Sequence, residues 1–100
     1  MEMFEYNERL GIPLPAFSKH WDEYPNEVQQ QILSDWECIR GQIPDRIKHL
    51  EAIINKKQEQ LNDEEDFELS CRLNEEISEI ASIINDLWLW YRIDPHITEA

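Results

Sequence analysis

Between Ile43 and Arg92 the apolar residues fall into two long series. The first is Ile43, Ile47, Leu50, Ile54, Lys57 and Leu61, with Lys57 as its one polar member. The second is Ser70, Leu73, Ile77, Ile80, Ile84, Leu87 and Tyr91. Steps of four and three place each series along one stripe of an α-helix, the seam spacing of antiparallel bundles. The series also mirror each other. Ile54 with Leu73, Leu50 with Ile77, Ile47 with Ile80 and Ile43 with Ile84 share one constant sum of residue numbers. The pattern therefore predicts a helical hairpin that reverses near Asp63 and Glu64, where the apolar spacing stops.

The remaining elements follow from local signals. A helix is predicted over 27–40, with Asn26 as N-cap and Gln29 completing a capping box. Val28, Ile32, Leu33, Trp36 and Ile39 give it one broad apolar face, and Gly41 is expected to end it in the left-handed conformation. Helix two is predicted over 44–62, with Pro44 at its first position and Asp45 against its dipole. Helix three is predicted over 64–92. The acidic run Asp63, Glu64, Glu65, Asp66 favours its start, and Asp94-Pro95 stops it. Residues 1–25 show no period. Tyr6–Leu10 is expected to make one helical turn ended by Gly11, and Ile12-Pro13-Leu14-Pro15 an extended run whose prolines cannot donate to a ladder. This stretch reads as an irregular N-terminal arm, fixed across the helices by Phe17, Trp21 and Tyr24.

Helix three outruns its partner. In the mirror register Trp88-Leu89-Trp90-Tyr91 lies opposite the end of helix one, near Trp36 and Ile39. A cluster that is apolar all round cannot face helix two alone, so helix one and the arm are expected to wrap it. The fold class is all-α: a single domain made of a long antiparallel hairpin, a shorter packed helix and the arm. Ile53, Ile83 and Leu69 fall beside the main seam. If that second stripe is exposed, it predicts a homodimer closing a four-helix bundle.

Charge narrows the function. The chain carries 22 Asp and Glu against 9 Lys and Arg, a formal net charge of −13. Such a surface repels nucleic acid and anionic membranes and suits a basic protein partner, a cation or simple solubility. No apolar run approaches membrane-spanning length. The acidic start Met1-Glu2-Met3-Phe4-Glu5 is unlike a signal peptide. Cys38 and Cys71 are far apart and read as reduced thiols, so the expected setting is cytoplasmic.

Catalytic signals are sparse. Two glycines leave no phosphate loop, and no nucleophile elbow occurs. Cys38, Cys71, His20, His49 and His96 lack ligand spacing, so no cofactor is expected. Glu75, Glu76 and Glu79 could gather oxygens around a magnesium ion. Glu75-Glu76-Ile77-Ser78-Glu79 resembles half of the metal motif of the all-helical nucleotide pyrophosphohydrolases of the MazG type. The second half, a Glu-x-x-Asp on a later helix, has no counterpart here.

The run Ser70-Cys71-Arg72-Leu73-Asn74, with Glu75 after it, carries a second resemblance. Residues 47–80 resemble the small sporulation-regulatory aspartyl-phosphate phosphatases, two-helix proteins with a Ser-Gln-x-Leu-Asp signature. Ser70 and Leu73 match; Cys71 replaces the glutamine and Asn74 the acid. The resemblance implies a response regulator as partner, met by Ser70, Arg72, Asn74 and Glu75. An amide at 74 supplies neither the charge nor the basicity of a carboxylate, so the resemblance speaks for the partner more than for the chemistry. The leading expectation is a small acidic regulatory or interaction module without catalysis. A phosphatase-like regulator and a magnesium-dependent nucleotide hydrolase are the alternatives.

Overall fold

The computed structural model describes residues 3–93. They form two short strands, β1 (Phe4–Asn7) and β2 (Ile12–Pro15), then three helices, α1 (Asn26–Arg40), α2 (Ile43–Asp63) and α3 (Phe67–Arg92). A single 3-10 turn at Trp21–Glu23 links sheet to helices. The protein is a rod, 60 × 22 × 21 Å, with a radius of gyration of 17.7 Å. A compact chain of this length would have about 13 Å. The elongation comes from α2 and α3, which pack antiparallel along most of their length.

The hairpin closes on the predicted ridges. Ile43, Ile47, Leu50, Leu73 and Leu87 are buried, and Ile54, Ile77, Ile80 and Ile84 are half-buried. The bend is Glu64–Asp66, one to two residues later than the mirror pairing puts it, and α3 starts at Phe67 rather than at 64. Capping explains the delay. Asp66 holds an extended backbone and its carboxylate accepts hydrogen bonds from the amides of Glu68 and Leu69. An aspartate stabilises a helix more as its N-cap than inside its first turn.

The junction of α1 and α2 also departs from expectation. Gly41 is right-handed (φ −65°), and Gln42 continues in the same region. Pro44 is the cause. It lacks the N–H that would reach the Arg40 carbonyl, so the helical ladder breaks there without needing a left-handed residue. Gln42 N donates to Ile39 O and Arg46 N to Gln42 O, so the chain bends through a tightened turn. α2 begins one residue before Pro44. At the other end of α1, Pro25 is the N-cap, Asn26 lies inside the helix, and no side chain caps it. Gln29 donates to the Trp21 carbonyl instead (2.8 Å).

The arm is not irregular. β1 and β2 pair antiparallel, with Phe4 opposite Pro15 and Asn7 opposite Ile12. Tyr6 and Asn7 are strand residues, not part of a helical turn. Ala16 N donates to Met3 O (2.9 Å), which fixes the ladder's phase. Glu5–Leu14 and Asn7–Ile12 are then the hydrogen-bonded pairs, and Pro13 and Pro15 fall at the positions between them. Both prolines sit where the ladder asks for no donor, so they are compatible with it. The Glu8–Gly11 turn closes with Gly11 N donating to Asn7 O and Leu10 N to the Asn7 side chain. Gly11 has φ +76°, the left-handed conformation that glycine adopts at no steric cost.

The core gathers at the open end of the hairpin. Trp36, Ile32, Ile39, Ile43, Ile47 and Leu87 are buried there with Phe4, Leu10, Ile12, Trp21 and Tyr24. Helix one and the N-terminal segment wrap the end of α3, as the all-round apolar cluster requires. The wrapping is partial: Trp90 and Tyr91 are half-buried, whereas Trp88 and Leu89 remain exposed. Ile53 and Ile83, two members of the second stripe, pack against this core, and Leu69 is half-buried.

Two substitution pairs test these assignments. Gly11→Ala should destabilise by about 1–2 kcal/mol, the left-handed penalty, since its Cβ would also meet the Arg46 guanidinium at 2.8 Å. Gly41→Ala should be neutral or stabilising by about 0.4–1 kcal/mol. Leu73→Ala should cost about 2–3 kcal/mol, against under about 0.5 kcal/mol for exposed Glu75→Ala. Urea unfolding followed by tryptophan fluorescence separates all four.

Candidate functional site

The acidic residues of α3 do not stand together as a cation site. Glu76 turns to the seam, where Lys57 Nζ lies 3.0 Å from its Oε1. The polar member of the first ridge thus acquires a partner across the hairpin while its stem covers apolar surface. Glu79 turns the other way and accepts from Arg9 Nε (3.2 Å). Glu75 is exposed. Among the described residues no three His, Cys, Asp or Glu side chains are placed to hold a metal ion. Cys38 and Cys71 are free and exposed, His20 and His49 are exposed, and His96 lies outside the described residues.

Arg9 makes a contact that periodicity could not show. It projects from the β-turn onto α3, where residues 79, 82 and 86 form one stripe at i, i+3 and i+7. Its Nη1 is 2.7 Å from Asp86 Oδ2 and its Nη2 donates to Ser82 Oγ (2.9 Å). The Asp86 hydrogen bond, and then Glu79, hold the guanidinium further above its ordinary pKa, while partial burial opposes them. From α2, Arg46 Nε donates to the Leu10 carbonyl in the same turn (3.1 Å). The turn therefore bridges both long helices, along one flank of the hairpin.

The four partner-binding candidates divide. Ser70 and Asn74, one turn apart, share one stripe of α3; Arg72 and Glu75 lie on the other side of the seam residue Leu73. Arg72, Asn74 and Glu75 are exposed and Ser70 is half-buried. What joins Ser70 and Asn74 is Phe67, at i, i+3 and i+7. Phe67 is 79% exposed, more than any other large apolar side chain described. The Asp66 cap fixes its backbone. Asp63, Glu65, Asp66 and Glu68 are exposed around it. Periodicity passed over Phe67 because it belongs to no buried series. A further shallow groove of about 460 Å³, lined by Glu51, Ile54, Asn55, Ala81 and Ile84, opens on the flank away from the β-turn.

No protein-family model matches the chain, and no curated protein or solved structure is recognisably similar to it. No helix among the described residues is long and apolar enough to cross a membrane.

Arg9→Ala should release the β-turn from α3. Hydrogen exchange over residues 4–15 should quicken at least tenfold while exchange in α2 and α3 changes little. In the unsubstituted protein, molar salt should quicken the same amides, because the ion pairs are partly exposed and screened. Uniform exchange across the whole chain would contradict the clasp.

Proposed function

We propose that the chain is a small acidic protein-interaction module without catalytic activity, whose distal end meets a basic partner. The observation that supports this is Phe67, displayed in a bend of carboxylates some distance from the core. Leaving a phenylalanine in water forgoes about 1.5–3 kcal/mol of burial, a cost that association would recover. The contact stripe is Phe67, Ser70 and Asn74, with Arg72 and Glu75 on the neighbouring face. Exposed aromatics serve as anchors in interfaces, and the acidic rim steers a positively charged surface onto them. The resemblance of residues 47–80 to the two-helix phosphatases points to a response regulator as one candidate partner. Asn74 in the signature position favours binding over dephosphorylation.

A photo-reactive residue at 74 should cross-link a basic partner in native cells, and Phe67→Ser should reduce the yield at least tenfold. Equal yield from exposed Lys48 on α2 would contradict the placement. Mixing with a phosphorylated response regulator should leave its phosphate in place. Nucleoside triphosphates with magnesium should release no pyrophosphate. Turnover in either assay would replace this reading with an enzyme.

A further inference from the structure

The two edges of the β1–β2 sheet are unequal. Pro13 and Pro15 occupy the positions whose backbone groups face away from the partner strand. At those positions a proline offers an approaching strand no N–H, so the β2 edge is closed to pairing. The matching positions on β1 are Phe4 and Tyr6. By this phase both direct an N–H and C=O outward, but only those of Tyr6 are open, since Phe4 is buried against Trp36; among the described residues β1 has no second neighbour. Beside this edge Tyr6 is 62% exposed, and Glu5 and Glu8 are exposed. A shallow groove of about 420 Å³ crosses both strands beside it, lined by Glu5, Tyr6 and Glu8 on one side and by Leu14, Pro15 and Ala16 on the other. The nearest cation in sequence, Arg9, is turned away to α3.

We propose that the outer edge of β1 takes up an extended, basic segment of a partner protein as a third strand. Tyr6 supplies the outward main-chain N–H and C=O for strand addition. Side chains alternate faces along a strand. A residue opposite Glu5 therefore shares its face and is Lys or Arg, and a residue opposite Tyr6 is apolar and packs on the ring. A second copy of this chain fits poorly, because pairing β1 with itself sets Glu5 and Glu8 of two chains, each of net charge −13, against one another. This inference shares with the proposed function only the premise that the chain binds protein, and it concerns the end opposite Phe67.

The probe is an eight-residue peptide of alternating lysine and valine, titrated into the full chain by calorimetry and by amide exchange. Binding should protect the Tyr6 amide. The same peptide N-methylated at alternate residues keeps its charge but loses its strand donors, and it should bind at least tenfold more weakly. Tyr6→Pro should behave likewise. Its lost N–H faces outward, so the β1–β2 ladder should persist, as it does with Pro13 and Pro15. Glu5→Lys, which leaves the backbone alone, should weaken binding at least fivefold. Equal affinity for the methylated peptide would reduce the effect to bulk charge and overturn the proposal. Absence of binding, or light scattering that shows self-association lost in Tyr6→Pro, would overturn it too. Phe67→Ser should leave peptide binding unchanged, so the two surfaces fail or stand separately.

Discussion

The structure depends most on the burial of one indole. Trp36 is 1% exposed, stacked on Phe4 of β1 at 6.3 Å and edge-on to Trp90 of α3 at 6.0 Å. Its ring N–H donates to the Ile93 carbonyl just past the end of α3 (2.8 Å). A tryptophan is buried without penalty only when that N–H finds an acceptor. A frayed helix end needs a donor for its last carbonyls. The two requirements meet in this one bond. One turn later Arg40 repeats the arrangement, with Nε on the Tyr91 carbonyl (2.6 Å) and its guanidinium over the Tyr91 ring. Together they fix where α3 stops relative to α1, and β1 is laid against the same indole. The open end of the rod is thus assembled from three segments distant in sequence, whereas the distal end consists only of the two long helices and their bend.

That asymmetry explains what could be read from the residues alone. The ridges of α2 and α3 are local and repeat, and each buried position reinforces the same period, so the hairpin was legible. So was the need to cover Trp88–Tyr91, because four consecutive apolar residues leave no polar side. The strands were not. With four residues each and two prolines in the second, their pattern reads as a linker until the phase of pairing is known, and that phase depends on Asn7 and Gly11 closing the turn. By spacing alone Gly11 reads as a helix stop and Gly41 as the left-handed residue. The positions are reversed because Pro44 already breaks the ladder, while the β-turn has no other means of reversing the chain. Asn26 lost the cap to Pro25 for a similar reason: a proline already holds the extended φ and ψ that precede a helix.

The candidate site was less legible than the fold, and charge is the reason. Spacing shows which carboxylates share a face, but not which of them a distant cation will claim. Glu76 and Glu79 are four and seven residues from Arg72, yet Lys57 and Arg9 hold them. With 9 cationic side chains against 22 carboxylates, most acidic groups must remain unpaired. Arg9, Arg40, Arg46 and Lys57 all bind other elements of the chain. Four of the few cations are thereby turned inward to join segments, and the outer surface is left more acidic than the composition implies. The positive end of a helix offsets repulsion among neighbouring carboxylates, and Glu64, Glu65 and Asp66 lie just before the start of α3.

Internal pairing also decides where unused binding capacity remains. Along the middle of the rod each flank is either clasped by the β-turn or reduced to a shallow groove between α2 and α3. At the bend, α3 must begin somewhere, and the residue after its cap is held outward whatever its chemistry. A polar residue there would be unremarkable; a phenylalanine there is left in water, since no described element packs near enough to bury it. At the sheet, one edge is closed by two prolines and the other is left with its donors intact. Either feature alone would be an ordinary imperfection of a small core. They lie towards opposite ends of a 60 Å rod, separated by the length of the paired helices.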